Sequence, residues 1–432
     1  MIDNLVIEHE NGWLQVKVPL PYSLKWVNAY LLPGEGEGDW SLIDPGLHTG
    51  EAENVWLAVM QSRGIAWDGI ARIVLTHHHP DHYGLAGWFQ ERTGAPVWMS
   101  RKAHETARWM WGRDREGDEG GKGREGSKSS EDNEGGEGRK DCKGNHVSEG
   151  GKEGREYSEG SSGGGERGDD NEGGGGCDFG GEHSGANVVG SSLGGEGSED
   201  YVGGEVSEGC IGGEHGEGSV TDVLLASFLA HGLPASLADE MKTHLLGFVE
   251  RVSPQPASVS YLRPGSTFQM AGIQWQLIGG EGHAPGHLSF YDPVGGRILC
   301  GDQVLPDISP NIGWLPGSDP DPLGSFLDSL SAMRHLEVTC AYPGHRQPFC
   351  RFGERVDELM DHHERRLERI AELIRERPSA SFDVCERLFG ERLRGNVHNL
   401  RFALSETIAH LVLLERRGAI QLADGNLWVS RK

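Results

Sequence analysis

Long apolar runs are missing from this chain. No stretch approaches the ~20 residues that a membrane-spanning helix requires, so no membrane partner is expected. Paired cysteines are missing as well. The seven cysteines (Cys142, Cys177, Cys210, Cys300, Cys340, Cys350 and Cys385) form no CxxC pair, and their number is odd. That excludes an evident disulfide framework and favours a reducing compartment. The start, Met1-Ile2-Asp3-Asn4, lacks a basic stretch followed by an apolar one. No signal peptide is read, and a cytoplasmic location is expected. Positive charge is scarce: 40 Lys/Arg face 66 Asp/Glu, a net of −26 among 432 residues. Such a balance speaks against a chain built to coat nucleic acid.

The charge is uneven. Residues 115–220 hold 26 Asp/Glu against 10 Lys/Arg, and 35 of the 67 glycines. With so little apolar surface to bury, this segment is expected to be a disordered acidic Gly/Ser/Glu-rich insert. Loop-closure entropy grows only logarithmically, so a host fold tolerates such an insert. Outside it the net charge is −10, ordinary for a soluble enzyme.

What is present on either side is an alternation of strands and helices. Residues 13–18 alternate apolar and polar, the period of a half-buried strand; 26–32 and 40–44 continue the pattern before Pro45-Gly46 breaks it. Helical spacing follows over 51–62, with Gly64 as its C-cap. A buried-looking strand at 70–75, a helix at 85–92 and a strand at 96–99 come next. After the insert, helices are predicted over 223–229 and 237–249. Strands are predicted at 267–270, 273–278, 288–291 and 298–299, then a helix at 322–336 and a strand at 338–341. The alternation implies an α/β arrangement. A charged helix over 354–375 leads to a separate C-terminal logic. Helices at 382–389 and 405–416 precede a hairpin around Asp424-Gly425-Asn426, which reads as a winged-helix unit. The expected domains are thus a first part at 1–114, the insert at 115–220, a second part at 221–352, a connecting helix at 353–377 and the winged helix at 378–432.

The chemistry sits in His77-His78-His79-Pro80-Asp81-His82, directly after a strand. In an extended backbone His77 and His79 can converge on one ion, while Asp81 and His82 point to a second. Imidazole with carboxylate suits Zn²⁺, and also Fe or Mn. Three further ligand-type residues follow strand-like runs beside Gly or Pro: His283 in His283-Ala284-Pro285-Gly286-His287, Asp302 after Cys300-Gly301, and His345 in Tyr342-Pro343-Gly344-His345. Cys300 reads as a buried strand cysteine rather than a nucleophile.

Together with Asp44 in Ile43-Asp44-Pro45-Gly46, these residues resemble, in order, the five motifs of the metallo-β-lactamase fold superfamily. The resemblance spans residue 5 to about 351, apart from the insert. It implies a four-layer αββα sandwich with two metal ions at one edge. It also implies that His77, His79 and His283 hold the first ion, that Asp81, His82 and His345 hold the second, and that Asp302 bridges them. Asp81 and Asp302 would be the catalytic carboxylates, and Asp44 would brace the histidine loop. His287 would stand behind the metals or face substrate, and His78 would bind neither ion. A water shared by two cations loses a proton near neutral pH and becomes a nucleophile.

The later residues resemble one branch, which joins this fold to a C-terminal winged helix. Asp321-Pro322-Leu323, Phe326-Leu327, Tyr342-Pro343-Gly344-His345 and His362-His363-x-x-Arg366 carry that likeness. The branch includes bacterial hydrolases, a lactamase-like endoribonuclease cutting single-stranded RNA, and fungal polyketide thioesterases; glyoxalase II resembles the core. Two activities are therefore expected to compete: hydrolysis of a small or carrier-bound ester or thioester, and cleavage of single-stranded RNA. An iron-dependent oxidoreductase ranks behind both. Residues 355–432 carry 14 Lys/Arg against 13 Asp/Glu, too balanced for a nucleic-acid face, although Arg392, Arg394 and Arg401 cluster. The winged helix is expected to pack or to dimerise, His362-His363 to be solvated or interdomain. The segment 102–111, with Trp109, Met110 and Trp111, and the helices from 221 to 249 either pack the outer layer or line a substrate channel.

Overall fold

The computed structural model describes residues 4–34, 36, 38–112 and 219–431. The expected insert therefore lies, but for its last two residues, outside the described part. Two sheets form the centre. The first contains β1 (Val6–Glu8), β2 (Leu14–Pro19), β3 (Trp26–Pro33), β4 (Trp40–Ile43), β5 (Ile70–Val74), β6 (Val97–Ser100) and β7 (Val259–Leu262), in that spatial order. It is antiparallel from β1 to β4 and parallel from β4 to β7. The second contains β8 (Thr267–Met270), β9 (Ile273–Gly280), β10 (His287–Asp292), β11 (Arg297–Gly301) and β12 (Cys340–Pro343), in the order β12-β11-β10-β9-β8.

Strand periodicity decides the layering. Along β3, Val27, Ala29 and Leu31 point into one core, and Tyr30 and Leu32 into another. The second core also takes Trp275 and Leu277 of β9, Leu288 and Phe290 of β10 and Leu299 of β11, so it fills the space between the sheets. Trp275 is wholly buried there, and its indole donates to the Met270 carbonyl; truncation to Ala would cost about 3–5 kcal/mol. Helices cover both outer faces. Over the first sheet lie α1 (Gly50–Arg63), the single turn α2 (Pro80–Tyr83), α3 (Ala86–Thr93), α4 (Arg101–Trp111), α5 (Val220–Ala230) and α6 (Ala238–Glu250). Over the second lie α7 (Pro322–Met333) and α8 (Phe352–Glu376). This is the expected four-layer αββα order. Thr49 caps α1 by accepting from the Ala52 amide, and Gly64 closes it in the left-handed conformation, as its sequence predicts.

Several boundaries differ from expectation. β1, β7 and α4 carry no signal that was read from the sequence; β7 is a four-residue strand, mostly half-exposed, at the end of its sheet. β12 begins two residues late, because the amides of Thr339 and Cys340 both turn to the Gly296 carbonyl before pairing with β11 starts. α7 stops at Met333 rather than 336.

The C-terminal part comprises α8, α9 (Ser381–Phe389), α10 (Val397–Arg416) and the hairpin β13 (Ile420–Ala423) with β14 (Leu427–Ser430). α8 is not merely a solvated bridge. Val356, Leu359, His363, Leu367 and Ile370 recur every three or four residues and are buried. His363 lies against Phe326 and His410, between elements, whereas His362 is half-buried. α10 starts eight residues before the expected helix, with the Asn396 side chain as N-cap for the Asn399 amide. Its first half joins the core over the first sheet and its second half the core over the second. The C-terminal helix is thereby built into both outer layers. Among the described residues no helix is long and apolar enough to cross a membrane, and Cys300, Cys340 and Cys385 carry free thiols.

Candidate metal centre

The topology brings the ligand-type residues to one edge. β4 and β5 run parallel, so their C-terminal ends deliver Asp44 and the histidine cluster side by side. β11 and β12 are parallel too and deliver Asp302 and His345. β10 runs antiparallel to β11, so the turn before it, with His283, reaches the same edge. The Leu288 amide donates to the Thr76 carbonyl, and the Asn28 amide to the Gly344 carbonyl, tying the sheets together there.

The histidine cluster is not a simple loop. His79 is extended (φ −62°, ψ 146°), as the residue before a proline should be, and Pro80 opens the turn α2. His77 and His79 thus stand on extended chain with ring centroids 4.6 Å apart, while Asp81 and His82 are carried round on helical turn. Ligand atoms of His77, His79 and His283 lie within 4.8 Å of one another, as do those of Asp81, His82 and His345. Asp302 stands between the two sets. Its Oδ2 is 3.4 Å from His82 Nε2, 3.4 Å from His345 Nε2 and 3.7 Å from His283 Nε2. His345 Nε2 is 3.3 Å from Asp81 Oδ2. These separations match the edges of a coordination tetrahedron, about 3.4 Å for ~2.1 Å metal–ligand bonds.

The orientation of the rings gives a test of fit. Each of four imidazoles has its Nδ1 side engaged: His283 with the Asn311 carbonyl at 2.9 Å, His345 with the Trp26 carbonyl at 3.0 Å, His82 with Asp44 Oδ2 at 2.9 Å, and His77 with Thr76 Oγ1 at 2.9 Å. That engagement turns Nε2 inward. His77 Nε2, His82 Nε2, His283 Nε2 and Asp302 Oδ1 are buried with no hydrogen-bond partner. Buried polar atoms are rarely left so, and convergent imidazole nitrogens around a carboxylate fit a transition-metal pair.

The surroundings are built to the same end. Asp44 accepts from the Thr76 amide at 2.8 Å, the Thr76 hydroxyl at 2.7 Å and His82 Nδ1. Asp44, His77 and His82 also fall within 4.8 Å, but both Asp44 oxygens are occupied by these donors, so it braces the loop. Gly344 is required by close approach: a side chain there would collide with Asp302 Oδ1 and His82. His287 turns its Nε2 to the Asp302 amide at 3.3 Å and stands behind that carboxylate rather than on the cavity. His78 contacts His79 but joins neither ligand set. Burial, helped by neighbouring histidines, holds His77 and His79 well below the usual imidazole range. Burial acts likewise on His345, but Asp302 and Asp81 outweigh it and push its pKa up to about 10. His82 is raised well above its ordinary value by Asp302 and Asp44 against the same burial.

A cavity of about 280 Å³ opens onto this edge. Met110, Trp111, Leu224, Phe228, Leu245 and Phe248 form much of its apolar wall. The segment 102–111 and the helices after it therefore both pack and line; the Trp111 indole donates to the His78 carbonyl at 3.1 Å. Further wall residues, His398, Arg401 and Phe402, come from α10; His398 and Phe402 carry no site signal in the sequence, and Arg401 reads there only as one of a basic cluster. Asn311 is a second omission. Its side chain reaches the Phe402 carbonyl at 3.2 Å and Glu406 Oε2 at 2.9 Å, linking His283 to α10. Glu406 is in turn bridged by Arg366. His363, Glu406 and His410 also lie within 4.8 Å of one another; Arg366 and the hydrogen bonds His363–His410 and His410–Glu406 carbonyl tie them together, and His363 Nε2 is left without a partner.

The chain is 30% identical over 150 residues to a probable metallo-hydrolase, YqjP, of Bacillus subtilis (strain 168), covering 34% of this chain and 46% of that protein. It is 26% identical over 126 residues to the hydroxyacylglutathione hydrolase of Ruegeria pomeroyi, covering 28% and 47%. The chain spans about half the length of these curated relatives. A crystal structure of a metallo-beta-lactamase family protein from Thermus thermophilus superposes with a TM-score of 0.64 at 25% identity, covering 97% of this chain and 99% of that one. The metallo-beta-lactamase-like C-terminal domain matches residues 367–431. The metallo-beta-lactamase superfamily pattern matches residues 27–185 and 218–345, well over half of the sequence, and the chain belongs to that superfamily.

Proposed function

We propose that this protein is a metal-dependent hydrolase of a carboxylic ester or thioester. The observation that carries the reading is the convergence of three imidazole Nε2 atoms on Asp302, those of His82 and His283 without a hydrogen-bond partner, at the mouth of an apolar cavity. His77, His79 and His283 would hold one ion, Asp81, His82 and His345 the other, and Asp302 both. When bound, such a pair polarises a carbonyl oxygen and acidifies a water, with zinc the expected metal and iron or manganese compatible with the same donors.

The chain's own residues do the rest. The Nδ1 partners of His77, His82, His283 and His345 fix those rings so that Nε2 is offered. Asp81 is the more open of the two carboxylates, with a side chain 22% exposed against 8% for Asp302. Although burial opposes it, the hydrogen bond from His345 keeps Asp81 below its ordinary pKa and so ionised. It is placed to take the proton released on attack and return it to the leaving group. The apolar wall excludes bulk water and seats an acyl chain. The relationship to a hydroxyacylglutathione hydrolase supports a thioester.

The ribonuclease reading loses its basic face in this fold. Arg394 is paired with Glu386, and Arg401 faces the cavity. The deciding experiment incubates the metal-loaded protein with S-lactoylglutathione and acyl-coenzyme A thioesters, and separately with end-labelled single-stranded RNA. Thioester cleavage without RNA cleavage is expected. RNA cleavage alone, or no cleavage by protein carrying both metals, refutes the proposal. One iron and no zinc in protein purified without added metal would instead favour the oxidoreductase reading.

A further inference from the structure

Arg401 stands apart from the other described arginines between residues 352 and 417. Arg365, Arg375, Arg377 and Arg392 are exposed to solvent. Arg366, Arg387, Arg394, Arg416 and Arg417 are each paired with a carboxylate: Glu406, Glu376, Glu386, Asp321 and Glu364. Arg401 has no such pair among the described residues. Its Nε is shut off from solvent without a hydrogen-bond partner. The guanidinium instead lies over two aromatic rings, its carbon 4.2 Å from the Phe402 centroid and 4.9 Å from that of Phe248. Burial lowers its pKa only to about 10, so it remains a cation at neutral pH.

The groups around it leave polar atoms unpaired too. His398 stacks on Tyr22 at 4.3 Å and packs edge-on to His244 at 5.2 Å. His398 Nδ1 and His244 Nε2 are likewise buried and unpartnered. Arg251 donates to the Tyr22 hydroxyl. The carboxylate whose charge reaches Arg401 is that of Asp81, which is already engaged by His345. Arg401, His398 and Tyr22 all line the cavity that opens onto the metal edge. A cation retained in an apolar wall without its own counter-charge is costly unless a ligand supplies one. A guanidinium presents a fork that fits a carboxylate.

We infer that Arg401, with His398 beside it, is the specificity-determining anion site of this cavity, and that the substrate is an ester or thioester whose apolar acyl chain carries a free carboxylate. The inference rests on the hydrolase reading above and adds the charge of the substrate. A guanidinium without an ion-pair partner, flanked by buried unpartnered imidazole nitrogens, and apolar residues on the remaining wall describe an occupant with one charged end and a greasy body.

The test uses the metal-loaded full chain and two esters of equal length, p-nitrophenyl hexanoate and the mono-p-nitrophenyl ester of adipic acid. Wild type should prefer the acidic ester in kcat/KM by about tenfold or more, the scale of one hydrogen-bonded charge pair. Arg401→Met should collapse that preference toward one, and Arg401→Lys should restore part of it. A melting curve reports whether the Met variant folds; if it does not, the Lys variant decides, since loss of the fork alone should still lower the preference severalfold. No preference in wild type, or a preference unchanged in the folded variant, overturns the inference while leaving the hydrolase reading intact. If neither ester is cleaved, the hydrolase reading fails and binding decides the role of Arg401. Calorimetry with 1-hexanesulfonate, a poor metal ligand, against 1-hexanol should show the sulfonate advantage of wild type lost in Arg401→Met. An equal advantage in both proteins refutes the anion site.

Discussion

Asp44→Asn changes one atom and leaves the shape of the site intact, which makes it the sharpest probe of the proposed centre. Asp44 receives three donors: the Thr76 amide on Oδ1, and the Thr76 hydroxyl and His82 Nδ1 on Oδ2. An asparagine offers one acceptor oxygen and one donor nitrogen. With its oxygen toward the Thr76 amide, its NH₂ faces His82 Nδ1. The imidazole then relaxes to the tautomer protonated on Nε2, the nitrogen a metal needs. With the amide turned over, the NH₂ faces the Thr76 backbone donor instead. No orientation satisfies all three. The loss is one hydrogen bond to a charged acceptor, about 1.5–3 kcal/mol, which at ~1.4 kcal/mol per factor of ten is roughly tenfold to a hundredfold in affinity. It should fall on the position shared by Asp81, His82 and His345. The His77 position should suffer less, because the Thr76 hydroxyl can still accept from His77 Nδ1. Competitive chelator titration with metal analysis measures both affinities, and a melting curve confirms folding. Two affinities within twofold of wild type in a folded Asp44→Asn protein would refute the bracing role and the assignment of His82 as a ligand.

Three other outcomes are expected. Asp302→Ala should remove both metals and abolish activity, because its Oδ2 lies near Nε2 of three histidines; a variant that keeps metal and turnover shows that this carboxylate is not the bridge. Metal binding should release protons near pH 7. His345 titrates at about 10 and His82 is raised well above its ordinary value, so both are protonated between their protein partners alone and must give up that proton to coordinate. Affinity should therefore rise with pH, by about tenfold per unit for each displaced proton, up to the raised pKa values; calorimetry in buffers of different ionisation enthalpy reads the protons, and no release at pH 7 contradicts the ligand set. Deleting residues 116–217 should leave the melting temperature within a few degrees and retain activity, since that composition offers little to a core; a large fall would show that the segment supports the fold.

Much of the site was readable one residue at a time. The pattern His77-x-His79-x-Asp81-His82 declares a metal loop because few other roles require that many ligands in six residues, and a strand before it supplies rigid support. Strands β2 to β4 announce themselves by period-two apolar residues, β5, β6 and β8 to β11 by short strand-like runs, and α1 by its cap. Such signals are local, so the chain carries them before it folds. The proposed division of the ligands between two ions followed a family likeness. That these residues meet depended on parallel pairing of β4 with β5 and of β11 with β12.

Other features had no local signature. β7 is short and half-exposed, and the beginning of α10, Val397-His398-Asn399, reads as polar chain until Asn396 is recognised as its cap. Asn311 lies in irregular backbone, where no periodicity marks it, yet it joins a proposed ligand to the C-terminal helix. Arg401 looked in the sequence like one member of a surface basic cluster. Tertiary packing instead seated it against Phe248 and Phe402 on the cavity wall. The chain alone determined the donor chemistry and the strands that bear it, because ligand type and strand period are properties of neighbours in sequence. Packing of α10 against the candidate metal edge decided what that chemistry faces, because a wall assembled from residues as far apart in sequence as Tyr22 and Ser405 exists only once both outer layers have closed.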